Sequence, residues 1–148
     1  MADKLFDCTE ELRSYIMDEE DFNFLNLNKE VLADKKLHEC IADAIADWNM
    51  TLPLTNKTLS AFSANEWSLI KKKAAVEAIY RLMFLNANNR VTYSDQGFNA
   101  TEYNNYDLFA SLKQDIERDY ESKKTQYKQA ESYRGAMGGG VHSEYWLK

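Results

Sequence analysis

Ser63-Ala64-Asn65-Glu66-Trp67-Ser68-Leu69-Ile70 fixes the start of the element around which the rest of the chain arranges itself. Ser63 and Glu66 stand in the spacing of a capping box, in which each side chain satisfies an exposed N–H near the other. A helix therefore begins here. Trp67, Ile70, Ala74, Ala78, Leu82 and Leu85 follow at helical spacing and make one apolar stripe. Leu69, Val76, Ile79, Tyr80 and Met83 widen it, so this helix is expected at the centre, covered on more than one side. Lys71-Lys72-Lys73 reads as its solvated face.

Upstream, Leu37, Ile41, Ala44, Ile45 and Trp48 share one face of a helix expected over residues 29–49 with Asn28 as its cap. Leu52-Pro53-Leu54 ends it, because the residue before a proline is pushed out of the helical region. Nearer the N-terminus, Thr9 before Glu10 and Glu11 looks like an N-cap, with Leu12, Tyr15 and Ile16 as a short stripe. Residues 21–28 are rich in asparagine and read as a loop or short extended piece.

Downstream, residues 86–98 carry turn chemistry at Asn88-Asn89 and Ser94-Asp95-Gln96-Gly97. Asn99 and Glu102 look like the cap of a fourth helix, with Phe98 and Tyr103 as a hydrophobic staple. Phe109, Leu112, Ile116, Tyr120, Tyr127 and Ala130 keep its period as far as Tyr133 or Arg134. Such a helix would be longer than a domain of this size is wide, so its distal half is expected to leave the core. The expected core is Leu37, Ile41, Ile45, Trp48, Trp67, Ile70, Leu82, Leu85, Phe109, Leu112 and Ile116.

Four of the five glycines lie after Arg134. Glycine ends helices and frees the backbone, yet this run is followed by apolar and aromatic residues. The sequence thus divides into a helical domain, residues 1–134, and a flexible, extended C-terminal docking arm, residues 135–148. Gly135, Gly138, Gly139 and Gly140 are the expected hinge. Tyr133, Met137, Val141, His142, Tyr145, Trp146 and Leu147 are the expected partner-binding residues, since Tyr and Trp are enriched at interface hot spots. The fold class is mainly α: a small helical bundle with one long C-terminal helix and that arm.

Composition narrows the function. A chain of 148 residues with 45% hydrophobic residues can bury one core. No apolar run approaches the ~20 residues of a membrane span, and the acidic N-terminus lacks the apolar stretch of a signal peptide. An intracellular site of synthesis is expected, and three Asn-x-Ser/Thr matches, at Asn49, Asn56 and Asn99, then read as chance. The net charge of −6 is uneven. Residues 1–50 hold 13 acidic and 5 basic residues, residues 51–148 hold 11 and 13. That is no basic footprint for nucleic acid. It suits contacts between identical copies, or simply an acidic solvated face. Cys8 and Cys40 read as reduced thiols.

Reactive motifs are sparse. The glycines at 138–140 follow a helix instead of opening one, so they do not form a phosphate loop. His38-Glu39-Cys40 has no second ligand pair at metal spacing. His142, Ser143 and Glu144 are adjacent, whereas a triad is assembled from separated segments on a rigid site. No enzymatic activity, cofactor or metal is expected.

A helical domain of this size, a long penultimate helix and an aromatic C-terminal arm together resemble the head-to-tail connector (adaptor, or neck) proteins of tailed bacteriophages. The stretch Asn88-Asn89-Arg90-Val91-Thr92-Tyr93-Ser94-Asp95-Gln96-Gly97 carries the resemblance, with the Tyr/Lys/Gln-rich helix and Gly138-Gly139-Gly140-Val141-His142-Ser143-Glu144-Tyr145. It covers mainly residues 60–148. The resemblance implies a structural virion protein assembled in the host cytoplasm. Copies form a ring, typically of twelve, between portal and tail, and the arm commonly docks on the portal. The implied partners are the portal protein, other neck and tail proteins and neighbouring copies, with DNA only passing through the channel and no membrane involved. A different class fits the same arm: a small intracellular helical regulator or inhibitor that binds one protein partner.

Overall fold

The computed structural model describes residues 2–19, 31–88, 94–95, 98–99 and 106–138. Four α-helices dominate: α1 (Ala2–Tyr15), α2 (Asp34–Met50), α3 (Ala64–Asn88) and α4 (Tyr106–Gly138). A short 3-10 turn (Leu59–Ala61) precedes α3, and two short strands, β1 (Ser94–Asp95) and β2 (Phe98–Asn99), stand between α3 and α4. The fold is the expected mainly helical bundle with one long C-terminal helix.

The capping box is present. The Ser63 backbone N–H and hydroxyl both donate to the Glu66 carboxylate at 2.9 Å, and the Glu66 N–H donates back to the Ser63 hydroxyl at 3.4 Å. The carboxylate is buried and also ion-pairs with Lys57, which ties the approach to α3 down onto its first turn. Alanines 74, 75 and 78 are fully buried along α3. Small side chains there let helices approach from two sides, and α3 packs against both α2 and α4. It is the central helix.

α2 presents Leu37, Cys40, Ile41, Ala44 and Trp48 to the core. Trp48 is the largest buried side chain. It meets Phe62 edge-on at 6.2 Å and Tyr127 at 5.6 Å. Pairs of this geometry each add about 0.5–1.5 kcal/mol beyond area burial. α3 and α4 run antiparallel, since Lys72 pairs with Asp119, Lys73 with Glu117 at 3.7 Å, and the Lys113 ammonium lies 5.1 Å above the Tyr80 ring.

Several expectations are corrected. Thr9 is not a cap but an interior residue of α1. Its hydroxyl donates to the Leu5 carbonyl at 2.7 Å, one turn back, so it faces away from the N–H groups it was to cap. α2 begins at Asp34, not after Asn28. The Asp18 carboxylate captures the Val31 and Leu32 N–H groups at 2.8 and 2.9 Å, which holds this stretch outside any helix. Asn99 does not cap α4. It pairs with Ser94 across the β1–β2 ladder, as Phe98 does with Asp95, so its backbone is already committed and the helix starts at Tyr106. Gln96 and Gly97, of the expected Ser94–Gly97 turn, lie outside the described residues.

The core is also redrawn. Leu37, Ile41, Trp48 and Ile70 are buried, while Ile45, Trp67 and Leu82 pack against the core half-covered. Phe109 and Ile116 are half-buried, and Leu85 and Leu112 are exposed. The distal half of α4 does not leave the body: Tyr120, Lys124 and Lys128 are buried. Nor are the three lysines of α3 merely solvated, because Lys71 pairs with Glu11 of α1 and Lys72 with Asp119 of α4. Lys73 pairs with Glu77 at 2.9 Å and also reaches Glu117. Residues 21–28, with the loop or extended reading given them, lie outside the described residues.

Candidate functional site

Two regions carry side chains suited to contact with a partner, and one polar seam holds them apart. The first region is the end of α4. The helix continues through Gly135 to Gly138, past the expected end at Tyr133 or Arg134. Gly135 and Gly138 are therefore helical and not hinge residues here. An interior glycine costs a helix only about 0.5–1 kcal/mol against alanine, which a long helix tolerates. Glu131 still reaches back to Lys57 at 3.5 Å, and Tyr133, just beyond, is exposed. Met137 lies on the same last turns. Gly139, Gly140, Val141, His142, Tyr145, Trp146 and Leu147 lie outside the described residues.

The second region is the opposite end of the α3–α4 pair. Tyr80, Phe84 and Leu85 of α3 and Leu108 and Leu112 of α4 are all exposed, Leu108 at 67% and Phe84 at 53%. Tyr80 and Phe84 stand one turn apart and pack edge-to-face at 4.7 Å. The antiparallel register, read from Lys73–Glu117 and Lys113–Tyr80, brings the Phe84 level of α3 beside the Leu108 level of α4. These exposed side chains lie toward one end of the pair, Tyr80 and Phe84 on the side of the Lys73–Glu117 contact and Leu108 and Leu112 on the side of the Lys72–Asp119 contact.

Between these ends, α4 is anchored by charge. The Tyr120 hydroxyl donates to Asp47 of α2 at 2.6 Å, and the Lys124 ammonium donates to the same carboxylate and to Glu121, each at 2.9 Å. Burial alone would raise the Asp47 carboxyl, but the Tyr120 hydrogen bond and the Lys124 charge overcome it and hold it below its usual value. Burial, then the Asp47 carboxylate, pushes the Tyr120 phenol upward. Lys128 is buried with neutral partners, the Pro53 carbonyl at 3.3 Å and the Thr55 hydroxyl at 3.2 Å, and its ammonium sits 4.8 Å above the Trp48 ring. Burial pulls its pKa down. A loop of the right shape is needed to deliver those oxygens. Asn49 supplies it, accepting from Thr55 and the Lys57 N–H and donating to the Lys57 carbonyl.

This seam fastens elements together. Lys128 is too well covered to meet a substrate, and Lys124 is held between two carboxylates. The thiols are equally enclosed: Cys8 and Cys40 are free and buried, and burial pushes Cys40 up to about 11. His38 is half-buried on α2. Among the described residues no group of three His, Cys, Asp or Glu side chains could hold a metal ion. Among them, too, no helix is long and apolar enough to cross a membrane. A shallow groove of about 450 Å³ runs between α3 and α4, lined by Asn65, Ser68, Leu69, Lys123, Gln126 and Tyr127.

The patch and the seam both escape a reading by hydrophobic period. Tyr80 falls on the widened stripe of α3, and Phe84 lies one turn beyond it on the same face. Lys124 and Lys128 fall outside the apolar stripe of α4, although their one-turn spacing beside Tyr120 and Tyr127 is a sign that their stems cover apolar surface. Comparison of the chain with protein-family models, curated proteins and solved structures finds no match.

Proposed function

We propose that this chain is a structural assembly protein, a ring-forming connector that joins the portal of a phage head to its tail and docks through its C-terminal arm. The observation that carries this reading is the exposure of large apolar side chains on well-formed helices, Tyr80, Phe84 and Leu85 on α3 and Leu108 and Leu112 on α4. Large apolar side chains held out on rigid helices suit a protein partner. Tyr133, also exposed, stands toward the other end of α4. Two contact regions on one subunit allow head-to-side joining, and such heterologous contacts close into rings when the rotation between copies permits. The resemblance to connector proteins supplies the portal and tail as partners.

The test is co-expression with a portal protein. The full chain is expected to copurify with it and to appear as a ring by negative-stain imaging. A chain cut after Arg134 is expected to keep its helical content and lose the association. Capture of the cut chain at full-length efficiency would overturn the role of the arm. A stable one-to-one complex with a single cellular protein, and no association with the portal, would instead favour a regulator.

A further inference from the structure

We infer that α4 is a strap that opens as a unit from a core made by α1, α2 and α3, a device that uncovers the Trp48 face while the rest of the fold stands. The inference goes beyond the connector reading and does not depend on it. It starts from what α4 buries. Among the described residues of α4 the fully covered side chains are Tyr120, Lys124 and Lys128, one phenol and two ammonium groups. To the buried apolar cluster of the bundle α4 supplies Tyr120, with Tyr127 packed half-covered against it. Burying an ammonium group costs hydration, and its attraction to a carboxylate does little more than offset that cost. Lys128 donates to neutral acceptors, the Pro53 carbonyl and the Thr55 hydroxyl. The pairs Lys72–Asp119 and Lys73–Glu117, which tie α4 to α3, have half-exposed carboxylates, and ion pairs in water contribute little.

The other three helices are tied to one another directly. Leu12 of α1, Leu37 and Ile41 of α2 and Ile70 of α3 are buried in the cluster. Trp67 donates to Glu11 at 2.7 Å between α3 and α1, Arg81 to Glu39 at 2.6 Å between α3 and α2, and Arg13 to Asp34 at 2.5 Å between α1 and α2. When α4 leaves, Lys124, Lys128 and Asp47 regain water, which lowers the cost of the open state. Trp48 then loses the Tyr127 ring and the Lys128 ammonium and keeps Phe62.

The test is native-state hydrogen exchange on the full-length protein in urea below its unfolding midpoint. A detached helix is marginal in water, so α4 amides exchange when the strap opens. The amides of Tyr120, Lys124 and Lys128, in the interior of α4, are expected to be at least ~10-fold less protected than those of Ala74, Ala75 and Ala78 in α3. Their exchange should rise with urea along one shared slope, smaller than that of α3, because opening exposes only part of the surface that unfolding exposes. Two variants separate strap from core. Asp47→Asn weakens docking and should speed exchange in α4 and α3 by the same factor, at least ~5-fold, since both openings start from the docked state. Cys8→Ala thins the packing of α1, which the open and closed states share. It should speed exchange in α3 at least ~3-fold and leave α4 unchanged. Equal protection and equal slopes in α3 and α4, or equal acceleration of both by Cys8→Ala, would show one cooperative unit and overturn the inference. Exchange in α4 that ignores urea would overturn it by showing only local fluctuation, and exchange that ignores Asp47→Asn by removing the seam from the opening.

Discussion

Met17 holds a left-handed backbone conformation, φ 57°, that side-chain-bearing residues avoid. It does so because α1 ends in a Schellman motif: the Asp18 N–H donates to the Arg13 carbonyl at 3.1 Å and the Met17 N–H to that of Ser14 at 3.2 Å. The turn delivers Asp18 to Arg13 and to the Val31 and Leu32 N–H groups, and Arg13 also bonds Asp34 at 2.5 Å. Met17 itself is exposed. Met17→Gly should therefore raise stability by up to ~1 kcal/mol, measured as a higher urea midpoint with unchanged slope. Asp47 offers a test through pH. Its carboxyl lies below the ordinary value when folded, so its contribution is complete above the ordinary carboxylate range and is lost as pH falls through the lowered value. Asp47→Asn should cost ~1–3 kcal/mol at neutral pH, by leaving the buried Lys124 short of a charged partner. It should also flatten the fall in stability on acidification. An unchanged acid slope would remove Asp47 from that role.

Among the elements, α3 and α4 differ in what their stripes accomplish. Ile70 is fully buried, and Ile70→Ala should cost ~2–5 kcal/mol. Leu112 lies on the expected stripe of α4 but is exposed, so Leu112→Ala should change monomer stability by no more than ~0.5 kcal/mol. Thermal melts of the two variants compare them directly. This contrast shows where sequence suffices. Ser63 and Glu66 could be read as a cap because both partners sit within one turn. The face of α2 was equally plain, since Leu37, Ile41, Ala44 and Trp48 repeat without interruption. The start of α4 could not be read, because Asn99 joins a strand whose partner, Ser94, was not an expected pairing. Lys124 and Lys128 fall outside the apolar stripe of α4. Their burial depends on Asp47 from another helix and on a loop shaped by Asn49, and no local pattern carries that information. Thr9 failed for the opposite reason: one hydroxyl can serve a cap or bond one turn back, and only the surrounding apolar face of Cys8 and Leu12 decides between them.

At the scale of the molecule, contact residues are separated along one long axis. Helix α4 is fastened in its middle, through Tyr120, Lys124 and Lys128, and carries apolar or aromatic residues toward both ends. For the candidate site, the docking arm is an expectation of the sequence alone, since its residues from Gly139 on lie outside the described residues. Tyr80 belongs to the widened stripe of α3 by its spacing, yet α4 leaves it exposed.

The three tryptophans turn this layout into an optical instrument. Trp48 is enclosed in the core with an ammonium above its ring, Trp67 donates to Glu11 at 2.7 Å across the junction of α3 with α1, and Trp146 belongs to the arm. Trp48 and Trp67 sit in different electric and solvent environments, and indole emission responds to both. Chains that keep one tryptophan, with phenylalanine at the other two positions, would watch the core, the helix junction and the arm separately. A quencher dissolved in water should leave Trp48 bright until the protein unfolds. Emission from Trp146 should shift to the blue as copies associate, at concentrations where Trp48 does not change colour.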